Sequence, residues 1–138
     1  MKSSRPDKIL EKPDLERLSH FRFQLRQFLR VSEDLCREAR ITPLQYQLLL
    51  HVRGMPGRDW ANIGELAERL QAKHHGVVAL VTRCEQAGLV ERRQGTEDRR
   101  QVEVHLTARG EKILLRLAEL HQPELQRLRD EFALPGWM

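Results

Sequence analysis

The chain has 138 residues, 40% of them hydrophobic and 32% charged, an ordinary soluble balance that excludes a disordered polypeptide. Its formal charge is +4, which suits a polyanionic partner but is shared by many proteins that have none. Only 5% is aromatic, so the core must rest on Leu, Val, Ile and Ala.

No apolar run approaches the ~20 residues that a membrane span needs, and no membrane partner is expected. The opening MKSSRPDKIL is charged and lacks an apolar core, so it does not read as a secretory signal. Cys36 and Cys84 are far apart, and no CxxC occurs. The reading is a cytoplasmic protein with two free thiols.

Residues 1–13 are polar and interrupted by proline, which reads as a flexible leader. Over residues 14–40, Leu15, Leu18, Phe21, Leu25, Phe28, Leu29 and Leu35 recur in steps that share one helical face. That stripe must lie on its own domain or on another subunit. Thr42, Pro43 and Gln45 then carry the signature of a capped helix start. Leu44, Leu48 and Leu49 are its expected apolar set, and GMPGRD reads as a loop.

Asn62 and Glu65 form a second capping pair, opening a short helix with Ile63, Leu66, Ala67 and Leu70 inward. A break at residues 71–75 separates it from a second helix carrying Val77, Leu80, Val81 and Cys84, which stops at Gly88. Val102, Val104 and Leu106 alternate with Glu103 and His105, as in a half-buried strand. It pairs with the strand opened by Leu89 and Val90, and residues 94–98 form the tip. Thr107 caps a further helix through Ile113, Leu114, Leu117 and Leu120. Pro123 is expected to restart a last helix bearing Leu125, Leu128 and Phe132.

Two short helices joined by a break can hold the second proud of the surface, where it fits a major groove about 12 Å wide. Its first residues, Lys73, His74, His75 and Gly76, combine donors with a position that admits close backbone approach. Packed helices with polar ends would look the same. The hairpin shifts the balance, because Arg92, Arg93, Arg99 and Arg100 crowd around its turn. An extended arginine beside a recognition helix can enter the negative minor groove. Asp98, two residues before Arg100, can fix its guanidinium by a charge-assisted hydrogen bond. The plainer alternative is a solvated hairpin with an exposed ion pair worth about 0–1 kcal/mol.

The order of capped helix, helix-turn-helix, "AGLVERR", "DRR" and "VHLTARGE" resembles the MarR family of winged helix-turn-helix transcription regulators. The likeness covers residues 18–132 and is most specific over 88–110. It implies a mainly α fold with a small β-hairpin wing (α+β). Residues 41–106 would form the DNA-binding domain, and 14–40 and 107–134 the helices that pair two subunits. It further implies that Asp98 and Arg100 are the D-x-R pair that puts an arginine in the minor groove. Leu106, Thr107 and Gly110 would lead from the wing into a dimerisation helix. Arg83 matches an arginine frequent in the family. Val78 and Ala79 stand where a Thr-Arg pair is common, and Gly76 where Ser or Thr is. Base readout should therefore rest on Lys73, His74 and His75.

A two-fold dimer would read half-sites about 10 bp apart in a pseudo-palindromic operator. The resemblance also implies repression relieved by a small aromatic or phenolic ligand. Two other readings stand beside it: a winged-helix module that docks on protein, and a redox sensor using Cys36. No metal or cofactor is expected. His74 and His75 point about 100° apart on a helix, and no HxxxH or Cys/His cluster occurs. No catalytic residue is expected either, since GxSxG, a phosphate loop and HExxH are all missing.

Overall fold

Reciprocal capping sets the start of both central helices. In α2 (Pro43–Arg53) the Gln45 amide donates to the Thr42 hydroxyl at 3.1 Å, and the Gln45 side chain accepts from the Thr42 amide at 2.9 Å. In α3 (Ile63–Leu70) Asn62 and Glu65 exchange the same two bonds at 2.8 and 3.0 Å. Such caps satisfy amides that the first helical turn leaves unpaired, and each contributes about 1 kcal/mol.

The chain, described as a computed structural model over residues 9–136, divides into two compact units. One comprises 9–31 and 122–136, the other 32–121. Two long helices, α1 (Lys12–Glu38) and α5 (Ala108–Glu131), contribute to both. Most of the expected leader, residues 1–8, lies outside the described residues.

In the larger unit, α3 ends at Gln71 in a left-handed conformation (φ 51°), and the Ala72 amide reaches back to the Ala67 carbonyl at 3.0 Å. This Schellman-type end turns the chain into α4 (His74–Gln86). The end of α4 is closed by Gly88 (φ 73°), with the Leu89 amide on the Cys84 carbonyl at 2.9 Å. The hairpin follows as β2 (Val90–Gln94) and β3 (Val102–Leu106).

A third strand, β1 (Trp60–Asn62), joins the other edge of β3, giving an antiparallel sheet of order β1-β3-β2. The sequence reading had only a loop and a cap there. Three residues carry no periodicity, so β3 itself supplies the template. The core collects Leu48, Leu49, Val52, Leu66, Val81 and Val104, all buried. At the entry to α5, the Thr107 hydroxyl donates to the Gly88 carbonyl at 2.6 Å and accepts the Gly110 amide at 3.0 Å. A Cβ on Gly110 would stand 2.0 Å from the Leu89 carbonyl oxygen, so only glycine lets the helix approach the residue that leads into β2.

Three expectations need correcting. Leu44 is 52% exposed, and Tyr46 takes its place inside. Glu103 is buried rather than solvent-facing, because β3 is central and both its neighbours flank that side chain. Pro123 does not restart a helix but sits within α5. Proline removes one helical hydrogen bond, and α5 is anchored on either side of the gap. Leu114, Leu117 and His121 are buried before it, and Phe132 beyond the helix end packs 5.3 Å from Phe21.

In the smaller unit the buried Gln24 amide nitrogen donates to the Glu131 carbonyl at 2.8 Å. The helix stripe is only partly covered there, with Leu15 and Leu29 exposed.

Candidate nucleic-acid interface

The first turn of α4 stands open to solvent. Lys73 is its cap residue and makes no side-chain capping bond, so the leading amides lack the internal acceptor that α2 and α3 provide. Lys73, His74, His75 and Gly76 are all exposed. A Cβ on Gly76 would meet nothing within 4 Å, so packing does not demand glycine there. Val78 and Ala79 continue this exposed face, and Arg83 lies exposed in the last turn.

Beside it, the wing turn is tight. The Gly95 amide donates to the Gln101 carbonyl at 2.8 Å, and Gln94 donates through its side chain to the Arg99 carbonyl at 3.2 Å. Asp98 holds Arg100 at three points: its backbone amide at 3.0 Å, Nε at 3.1 Å and Nη2 at 3.2 Å. The side-chain bond from Arg100, then its backbone amide, holds the Asp98 carboxyl below its ordinary range. The Arg100 side chain is 91% exposed. It is an oriented cation facing outward.

His74, Val78, Arg92, Arg100 and Val102 line one cleft of about 490 Å³, together with the start of α3 at Asn62–Gly64. Of the expected contacts, His74 and both Arg92 and Arg100 thus converge. Arg93 does not, because it pairs with Glu103 in register and so points to the other sheet face. There it is ion-paired with Glu91. Arg99 is exposed at the tip. Arg92 differs from the rest, being bonded to α4 through Glu85, Thr82 and the Val78 carbonyl.

The outer sheet face carries a network that the sequence reading missed. Glu103 accepts the Thr96 amide at 3.4 Å and bonds the His105 imidazole at 2.9 Å. Trp60 stacks on His105, the Arg58 guanidinium lies 4.1 Å over the indole, and Arg58 is ion-paired with Glu65. A charged residue inside an otherwise alternating strand was its only signal.

Neither cysteine has the environment of a reactive thiol. Burial pushes Cys84 up to about 11, and burial likewise raises Cys36, opposed by a hydrogen bond with Ser32. Among the described residues, no group of three or more His, Cys, Asp or Glu could hold a metal ion. None of their helices is long and apolar enough to cross a membrane.

Residues 41–101, from the start of α2 to the wing tip, match the sequence model of the MarR family. Over this segment the chain resembles the MarR family. The solved structures agree in fold. AbsC, a MarR family transcriptional regulator from Streptomyces coelicolor, superposes with a TM-score of 0.78 at 21% identity, covering 93% of this chain and 86% of its own. A mutant MarR from E. coli complexed with operator DNA gives 0.69 at 25% identity, over 86% and 82%. BpsR from Bordetella bronchiseptica, whose DNA binding is regulated by 6-hydroxynicotinic acid, gives 0.64 at 16%, over 79% and 76%. No curated protein sequence matches the chain. The MarR-type fold here is a winged helix, mainly α with a three-stranded antiparallel sheet.

Proposed function

We propose that the chain is a sequence-specific double-stranded DNA-binding transcription regulator, acting as a homodimeric repressor. One observation carries the reading: Arg100, oriented by Asp98 and exposed, borders the same cleft as His74 at the open start of α4. A helix end with free amides suits phosphate and base edges in a major groove. An outstretched arginine beside it suits the adjacent minor groove. Lys73, His74, His75 and Gly76 are then the groove-facing end, with Arg83, Arg93 and Arg99 as flanking cations. The E. coli MarR complex with operator DNA supports this use of the fold.

The exposed Leu15, Phe23, Leu29 and Leu125 on α1 and α5 support dimerisation, since a second copy would take these apolar side chains out of water. Two copies would read a pseudo-palindromic operator. The regulation of BpsR by 6-hydroxynicotinic acid supports release by a small aromatic or phenolic ligand. In this chain Leu35, Ala39, Ile113 and Leu117, flanked by Lys112 and Arg116, line a cavity of about 410 Å³. That is within the usual size range for small-molecule sites.

The test is selection of duplexes from a randomised pool, followed by binding measured from low to moderate salt. A steep loss of affinity with salt is expected, about one power of the salt concentration for each phosphate neutralised. Arg100→Ala should weaken the selected duplex at least tenfold while leaving the melting temperature unchanged. No enrichment of any sequence, or an Arg100→Ala protein that binds as the parent does, refutes the reading.

A further inference from the structure

Arg92 sits in the cleft, but its guanidinium is already engaged. Nη1 donates to Glu85 Oε1 at 2.7 Å, while Nη2 donates to Thr82 Oγ1 at 2.9 Å and to the Val78 carbonyl at 3.1 Å. The Arg92 backbone amide adds a bond to Glu85 Oε2 at 3.2 Å, and the Thr82 hydroxyl donates to Val78 at 3.0 Å. Three successive steps of one α4 face, Val78, Thr82 and Glu85, are thus gathered by a single side chain from β2. The arginine side chain is 27% exposed, against 91% for Arg100. Both hydrogens of Nη2 are spent within the protein, and the planar fork matches acceptors spread over eight residues of helix, Val78 to Glu85. A lysine ammonium, a point donor on a flexible stem, cannot span them.

We propose that Arg92 is a positioning residue rather than a DNA contact: with Glu85 and Thr82 it clamps the wing to the recognition helix and sets how far apart α4 and Arg100 stand. The spacing matters because the two elements must enter neighbouring grooves together. A wing free to hinge on β2 would have to be ordered at each binding event, and that ordering opposes association. The inference rests on the DNA-reading function proposed above.

The clamp and a phosphate contact predict opposite results. If Arg92 met phosphate, removing the acid beside it would strengthen binding, since Glu85 repels DNA. If Arg92 positions, the same change weakens binding because the clamp opens. Six proteins decide it on the selected duplex: the parent, Glu85→Gln, Thr82→Val, Arg92→Lys, Arg92→Ala and the control Glu97→Gln. Glu97 is an exposed wing-tip acid outside the clamp, so its neutralisation should leave affinity unchanged or slightly raised. Glu85→Gln should lose roughly tenfold in affinity, the equivalent of one charge-assisted hydrogen bond. Thr82→Val should lose several-fold. Arg92→Lys should lose as much as Glu85→Gln despite keeping its charge, and the dependence of affinity on salt should keep its slope in all of them.

Circular dichroism melts of each variant confirm that the protein is folded at the assay temperature. Tighter binding by Glu85→Gln, or a slope reduced by about one in Arg92→Ala as for a lost phosphate contact, overturns the clamp. So does an Arg92→Lys protein that binds like the parent. An Arg100→Ala protein with full affinity would sink the DNA-reading function and the clamp together. Loss of binding in Arg100→Ala alongside tighter binding in Glu85→Gln would sink the clamp alone.

Discussion

The wing tip offers the sharpest perturbation, Gly95→Ala. Gly95 is buried in the turn, and a Cβ there would stand 2.3 Å from the Asp98 carbonyl oxygen and 3.2 Å from that of Gln101. Relieving the first contact requires opening the loop by roughly 1 Å, to ordinary van der Waals separation. Asp98 is the residue that must move, and it carries the three bonds that aim Arg100. Overpacking of this kind costs on the order of 1–3 kcal/mol, which lowers the melting temperature by a few degrees in a domain of this size. Binding should suffer more than stability. Displacing Arg100 would remove it from the groove proposed for it, so affinity for the selected duplex should fall at least tenfold. Fluorescence anisotropy titrations alongside thermal melts measure both. A Gly95→Ala protein with parental melting and parental affinity would show that the turn yields without cost and that the steric argument is wrong.

Acid should weaken the fold with a defined sign. The hydrogen bond with His105, opposed by burial and aided by the Thr96 amide, places Glu103 below its ordinary value of 4.5. A carboxyl depressed in the folded state contributes stability that is present above 4.5 and lost as pH falls through its lower folded value. Melts between about pH 5 and pH 3 should therefore drop, and Glu103→Gln should flatten part of that fall; an equal fall in both proteins would remove Glu103 from the account. Thiol reagents test the redox alternative. With Cys84 near 11 and Cys36 raised and buried, the native chain should resist alkylation at neutral pH and release two reactive thiols on denaturation. Rapid labelling of Cys36 in the folded protein would restore it as a sensor.

What could be foreseen was local. The Thr42–Gln45 and Asn62–Glu65 boxes, the Thr107 cap and the Asp98–Arg100 pair each join residues no more than three apart. Backbone geometry alone brings such groups together. What was missed needed a partner distant in sequence. Trp60 becomes strand only because His105 lies opposite it. Glu103 is buried because β1 and β2 set Asn62 and Arg93 on either side of it. Arg92 looked like one basic residue among four. Its distinction is Glu85, seven positions earlier on another element. Leu44 and Tyr46 exchanged roles for a similar reason, since Tyr46 stacks 4.9 Å from His121 in α5.

The stack of Arg58, Trp60 and His105 also gives the protein an intrinsic optical probe. The sequence holds two tryptophans, so Trp137→Phe leaves the indole of Trp60 as the sole tryptophan emitter. That indole lies between a guanidinium 4.1 Å over its ring and an imidazole with its centroid at 6.3 Å, and the imidazole is bonded to Glu103, which holds the Thr96 amide of the wing tip. Any shift of the wing relative to β1 changes the polarity and quenching around that ring. Emission from Trp60 can therefore be followed in stopped-flow mixing with duplex to time any movement of the wing, with no dye attached to the protein.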